Sequence, residues 1–146
     1  MPKEKYSILL VDDSEDDRLF MRRALRNNAK LTVVGEVCDG EDAISYLDGQ
    51  DAFADRVKHP FPDVLLLDLK MPRKTGFDVL RWLRTQSFKD LVVIVVSGSL
   101  LPEDIAQSLD LGAHAYHRKA ALKDEQEAMF YEIENSLAMS ERRSVV

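Results

Sequence analysis

Residues able to do phosphoryl chemistry recur in this sequence directly after short apolar runs. Asp12-Asp13 follow Ile8-Leu9-Leu10-Val11, Asp68 follows Val64-Leu65-Leu66-Leu67, Ser97-Gly98 follow Leu91 to Val96, and Lys119 follows the weaker run Ala113 to Arg118. Three carboxylates gathered in one place repel by roughly 3 kcal/mol per pair at about 5 Å and an effective dielectric near 20. Something positive must therefore share the place. A hard divalent cation fits, Mg²⁺ in particular, which binds through one or two carboxylates plus waters and a phosphate. Lys119 offers a point charge to a phosphoryl oxygen, the Ser97 hydroxyl can donate to another, and a carboxylate can itself attack phosphorus to give an aspartyl phosphate. The set reads as a phosphoryl-accepting site.

The elements that must position these groups are marked by the same runs. They do not alternate polar with apolar, which is the mark of strands buried on both faces in a parallel sheet. With Leu31 to Val37 and Ala113 to Arg118, five strands are expected. Helical signals lie between them. Ser14 with Asp17 three residues on forms a capping-box pattern before Leu19, Phe20, Met21, Ala24 and Leu25. Gly40 to Leu47 ends near Gly49, and Thr75 to Gln86 sets Phe77, Leu80, Trp82 and Leu83 against a polar side. Pro102 suits a first turn, with Leu101, Ile105 and Leu109 at four-residue spacing and Gly112 at the end. Met129, Ile133 and Leu137 mark the last helix. Strands alternating with helices give an α/β domain with right-handed crossovers. In such sheets ligands bind beyond the carboxyl ends of the strands, where the acids, Ser97 and Lys119 all fall. The connection Gln50 to Pro62 exceeds the usual two to six residues and is expected as an extended loop.

Composition narrows the class. A chain of 146 residues fits one domain, expected to span 1–146 with its core at about 6–137 and a tail at 138–146. Its 20 Lys+Arg against 26 Asp+Glu give a net charge of −6, which argues against a nucleic-acid partner because that affinity rests on basic surface. The single Cys38 excludes an internal disulfide and points to a reducing compartment. The longest apolar run, Leu91 to Val96, is far short of the about 20 residues that span a bilayer, and the start lacks a signal-peptide core. A cytoplasmic protein without a membrane partner is expected.

Taken in order, Ile8-Leu9-Leu10-Val11-Asp12-Asp13-Ser14, Asp68-Leu69-Lys70-Met71-Pro72-Arg73-Lys74-Thr75-Gly76, Val96-Ser97-Gly98 and Gly112-Ala113-His114-Ala115-Tyr116-His117-Arg118-Lys119 resemble the receiver domain of two-component response regulators, from Tyr6 to about Leu137. The resemblance implies a flavodoxin-like five-stranded parallel sheet in the order 2-1-3-4-5 with five helices. It implies Asp68 as phosphoacceptor, with Mg²⁺ held by Asp13, Asp68 and the backbone carbonyl of Lys70, and by Asp12 through water. Ser97 would be the hydroxyl that moves toward the phosphoryl group, Tyr116 the aromatic that moves with it, and Lys119 the lysine that pairs with the phosphate. Gly98 would leave the approach open, and Lys70 and Ser99 would tune the phosphoryl lifetime. The implied donor is a phosphohistidine on a sensor histidine kinase or a histidine phosphotransfer protein. The only chemistry implied is self-phosphorylation from that donor and autodephosphorylation, with output by protein contact and a homodimer through the face of helix 4, strand 5 and helix 5. The extended loop resembles the stand-alone regulators that partner bacterial phytochrome kinases. One departure stands out: the family commonly has proline after its lysine in a cis bond, whereas here Ala120 follows Lys119. A non-proline cis bond costs about 3 to 4 kcal/mol, so a trans bond with Lys119 still reaching the site is expected.

Plainer readings stand beside these. Asp12-Asp13 alone could be a solvated helix start. His114 and His117, three apart on a strand, point to opposite faces and make a poor metal pair, and His59 is expected in solvent. Lys70, Arg73, Lys74, Arg81 and Arg84 suit a solvated face. Phe130 and Tyr131 suggest a partner surface. Two rival functions are a receiver-like adaptor that works without phosphorylation and an aspartyl-nucleophile phosphatase of the haloacid-dehalogenase type. The second needs two aspartates separated by one residue, whereas Asp12 and Asp13 are adjacent.

Overall fold

The β-branched and leucine-rich runs form strands β1 (Tyr6–Val11), β2 (Leu31–Val37), β3 (Val64–Leu67), β4 (Val92–Ser97) and β5 (Ala115–Arg118), all parallel, in the order β2-β1-β3-β4-β5. Helices α1 (Glu15–Leu25), α2 (Gly40–Asp48), α3 (Gly76–Arg84), α4 (Pro102–Asp110) and α5 (Leu122–Val145) alternate with them along the chain. The computed structural model describes residues 5–145 apart from Lys89, with side chains as far as Met139. The fold is the flavodoxin-like α/β sandwich.

The unbroken apolar runs are explained by two cores, one on each side of the sheet. Ile8, Leu10, Val64, Leu66, Val92, Ile94 and Val96 pack with Met21 and Leu25 of α1 and with Met129, Ile133 and Leu137 of α5. Leu9, Val11, Leu65, Leu67, Val93 and Val95 pack with Ala43 and Leu47 of α2 and with Val79 and Leu80 of α3. Each such side chain stabilises the fold by about 1.5–3 kcal/mol on burial, so the central strands can be apolar at every position. No helix of the described residues is long and apolar enough to cross a membrane.

Several expectations are corrected. The Leu101, Ile105, Leu109 spacing marks α4 without marking its buried side: Leu101 is 48% and Leu109 43% exposed, and the residue buried on that helix is Ser108, whose hydroxyl donates to the Ile105 carbonyl at 2.8 Å. Four-residue spacing defines a face but does not fix which face meets the sheet. Phe130 belongs to the core beside α1, while Tyr131 is 66% exposed. Helix α5 continues to Val145, through the segment expected as a tail.

The long connection 50–62 is anchored. Arg56 donates to the carbonyls of Tyr46 at 2.8 Å and Leu47 at 2.9 Å in the last turn of α2 and to that of His59 at 3.1 Å, and so ties the loop to the end of the helix. His59 is not a solvent residue: its ring sits 5.8 Å from that of Tyr46 and 5.3 Å from that of Phe53, edge-on to both. His114 Nδ1 accepts from the Val93 N–H at 3.1 Å and His117 Nε2 lies 3.2 Å from Glu132 Oε2, so the two imidazoles serve separate contacts.

Candidate functional site

Strands β1 and β3 are neighbours at the centre of the sheet, and the hydrogen-bond ladder runs one residue past both. The Asp68 N–H donates to the Val11 carbonyl at 2.9 Å and the Asp12 N–H to the Val37 carbonyl at 3.1 Å. Both acids are thereby fixed by backbone. With Asp13 they form a group whose ligand oxygens all lie within 4.8 Å of one another. Asp13 is exposed, Asp12 half-buried and Asp68 buried, at 5% exposure.

The carboxylate of Asp68 is oriented from two sides. Its Oδ1 accepts from the Leu69 N–H at 2.8 Å, and its Oδ2 faces Lys119 Nζ at 3.1 Å. The segment after it turns back tightly: the Gly76 N–H donates to the Leu69 carbonyl at 2.9 Å, and a Cβ on Gly76 would fall 2.2 Å from the Asp68 carbonyl oxygen. Glycine is required there by contact. Burial pushes the Asp68 carboxyl above the ordinary carboxylate range, Lys119 pulls it partly back, and the charge of Asp12 raises it again.

Lys119 sits at the start of a 3₁₀ turn, Lys119–Ala121, that joins β5 to α5. Every peptide bond among the described residues is trans, including that to Ala120, and Nζ still reaches the acids. It lies 2.8 Å from Asp12 Oδ2, 2.8 Å from Asp17 Oδ2 and 3.1 Å from Asp68 Oδ2. Burial alone would lower this ammonium, but hydrogen bonds to Asp12 and Asp17 and the charges of Asp68 and Asp12 together raise it above the ordinary lysine value.

Asp17 is the site residue that the sequence pattern assigns elsewhere. Its backbone N–H donates to Ser14 Oγ at 3.2 Å, as the capping pattern requires, but its carboxylate does not return to the Ser14 N–H. That N–H donates instead to Asp12 Oδ1 at 2.9 Å, which leaves the Asp17 side chain for Lys119. The signal is the acid two residues before the cap, able to satisfy the cap amide itself.

The remaining expected residues contact one another rather than the acids. Ser97, at the end of β4 and 1% exposed, accepts through Oγ from the Ser99 N–H at 3.3 Å. The Ser99 hydroxyl donates to Asp104 Oδ2 at 2.5 Å, and the Tyr116 hydroxyl donates to the Ser99 carbonyl at 2.8 Å. Strand β5 is thus tied to the loop after β4. Gly98 is exposed and a Cβ there would meet nothing within 4 Å. Lys70 is exposed, its Nζ 4.0 Å from Asp104 Oδ2.

The profile of the response regulator receiver domain matches residues 8–130. The chain belongs to that family. This receiver is 34% identical over 114 residues to the nitrate/nitrite response regulator NarL of Escherichia coli K12, covering 78% of this chain and 48% of that protein. It spans about half of NarL's length. Among solved structures, it is similar to the phosphorylated cyanobacterial phytochrome response regulator RcpA, with 29% identity, a TM-score of 0.71, and 94% and 92% of the two chains covered. It is also similar to the Mn²⁺-bound form of the response regulator Rcp1, with 29% identity, a TM-score of 0.69, and 78% and 81% covered. The receiver's acid group and Lys119 therefore stand in a fold shared with a phosphorylated protein and with a cation-bound one.

Proposed function

We propose that this receiver accepts a phosphoryl group on Asp68 in a Mg²⁺-dependent reaction and passes the signal on by protein contact. The observation that carries this is the buried Asp68 carboxylate, its Oδ2 turned to Lys119 inside a group of three acids whose oxygens lie within 4.8 Å. Three carboxylates suit a hard cation with oxygen ligands. Asp13, Asp68 and the Lys70 carbonyl would hold it, with Asp12 acting through water. Mg²⁺, when bound, offsets the negative charge that carboxylates and phosphoryl oxygens bring together.

The chain's own residues do the rest. An Asp68 oxygen attacks phosphorus, the P–N bond of the donor phosphohistidine breaks, and the imidazole leaves with that electron pair. Lys119 and the Ser97 hydroxyl meet the phosphoryl oxygens, and Gly98 keeps the way in clear. Drawing Ser97 toward the phosphoryl group disturbs the Ser97–Ser99–Tyr116 chain of hydrogen bonds, which carries the change to α4 and β5. Lys70 and Ser99, on either side of the entrance, set how readily water reaches the acyl phosphate.

The donor class is a sensor histidine kinase or histidine phosphotransfer protein in the cytoplasm. Similarity to RcpA, a phytochrome response regulator, and the anchored loop 50–62 favour a phytochrome-type kinase. The output surface is the α4–β5–α5 face, where Leu101 and Leu109 stand exposed, and a second copy of the chain or a target protein would cover it.

Intact mass after incubation with Mg²⁺ and acetyl phosphate tests the reading. The unsubstituted protein should gain one phosphoryl group and Asp68→Asn none. No gain on the unsubstituted chain, with this donor or with a cognate kinase, would favour a phosphorylation-independent adaptor.

A further inference from the structure

We infer that Asp17 is a positioning residue that holds the Lys119 ammonium over Asp68, a role outside the acid group that would bind the cation. The inference rests on the reading of Asp68 as phosphoacceptor for its consequence, though not for the contact itself.

A lysine stem of four carbons needs fixing at its end, because its rotamer freedom is large. Here the stem, 21% exposed, borders a cavity of about 400 Å³ that Leu10, Phe20, Met21 and Ala120 also line, and apolar walls fix its depth but give its ammonium no partner. Ala120, where the family commonly has proline, leaves its own φ less constrained as well. The position of the head is therefore set by its partners. An ammonium has three donors, and Asp12, Asp17 and Asp68 offer one oxygen each at 2.8, 2.8 and 3.1 Å.

These partners are not equivalent. Asp12 and Asp68 belong to the acid group suited to a cation, and a bound cation draws on the charge of the same carboxylates that Lys119 now uses. Asp17 lies on the first turn of α1, outside that group, and keeps its charge for the lysine. Its place is fixed by the Ser14 cap below it, and its carboxylate is released because Asp12 Oδ1 occupies the Ser14 N–H. With a cation and a phosphoryl group present, Asp17 holds one ammonium hydrogen while the other two turn to phosphoryl oxygens.

The full chain should be compared with Asp17→Asn, Asp17→Glu and Asp16→Asn, the last removing an exposed charge of the same helical turn. Two readouts are needed. In Mg²⁺-loaded protein, the two Lys119 ε-methylene protons should give separate NMR signals when the head is held, and a single averaged signal in Asp17→Asn. The rate of phosphoryl gain from subsaturating acetyl phosphate should fall about tenfold in Asp17→Asn, as expected for a misplaced charge at a reacting centre. Asp17→Glu should restore most of both, and Asp16→Asn should change neither. Separate ε-methylene signals in Asp17→Asn would overturn the inference, as would averaging with an unchanged rate. An equal fall in Asp16→Asn would also overturn it, by reducing the effect to loss of any acid from the turn. If the unsubstituted chain takes no phosphate, the phosphoacceptor reading fails, and the NMR signals alone decide whether Asp17 holds Lys119.

Discussion

Helices α1 and α3 begin with the same pattern, Ser14 to Asp17 and Thr75 to Asp78, and use it for different ends. At α3 the box closes: the Asp78 N–H donates to Thr75 Oγ1 at 3.2 Å and the Thr75 N–H donates to Asp78 Oδ2 at 3.0 Å. The hydrogen bond from the Thr75 backbone is the main cause holding the Asp78 carboxyl below its ordinary range. At α1 the equivalent amide is already taken by Asp12, and the equivalent acid is spent on Lys119. The difference originates just upstream of the cap. An acid there converts a structural carboxylate into one available to the site.

Substitutions can separate the two helix starts or show them to be alike. The largest effect should come from the first residue of α3, with no counterpart at the first residue of α1. Gly76→Ala would drive a Cβ to 2.2 Å from the Asp68 carbonyl oxygen and should cost about 3 kcal/mol in urea unfolding, whereas the exposed Glu15→Ala should stay within about 0.5 kcal/mol. A small loss for Gly76→Ala would show that the 68–76 turn can relax. Next in size, Asp78→Ala should cost about 1 kcal/mol and leave phosphoryl gain unchanged. Asp17→Asn should cost less than about 0.5 kcal/mol, since its ion pair is half exposed, yet slow phosphoryl gain. Equal stability losses at the two helices would erase the distinction.

The smallest effects are read against pH, and they have opposite signs. Asp78 has a lowered carboxyl, so its contribution is present above the ordinary value of 3.8 and is lost as pH falls through the lower folded value. Asp68 has a raised carboxyl, so its contribution is present below 3.8 and is lost as pH rises through the higher folded value. In metal-free protein at pH 7, Asp68→Asn should therefore raise the unfolding midpoint and Asp78→Asn lower it. Both differences should fade in acid below pH 3.8. A lower midpoint for Asp68→Asn at neutral pH would contradict the cost assigned to burying its charge.

Much of the fold is legible in the sequence because the apolar runs of β1, β3 and β4 admit few other readings. The polar residues at the carboxyl ends of the strands then point to Asp12, Asp13, Asp68, Ser97 and Lys119. Where the sequence misleads, the reason is a choice between equal local options. The α4 stripe marks a face without saying which way it turns, and the residue that the helix buries is Ser108. Phe130 and Tyr131 are adjacent aromatics of which one packs, decided by how α5 lies against β4 and β5. Asp17 reads as a cap because the motif is local, whereas its partner lies 102 residues away in sequence.

Four carboxylates, those of Asp12, Asp13, Asp17 and Asp68, surround one ammonium or one expected cation, and the phosphoryl group is assigned to Asp68 alone. Borohydride reduces an acyl phosphate to the alcohol, so an aspartyl phosphate is converted to homoserine at the residue that carried it. Peptide mapping of the phosphorylated protein after this treatment should find homoserine at position 68 and aspartate at 12, 13 and 17. Homoserine at any of the other three, or at none of the four in protein that has gained phosphoryl mass, would contradict the assignment.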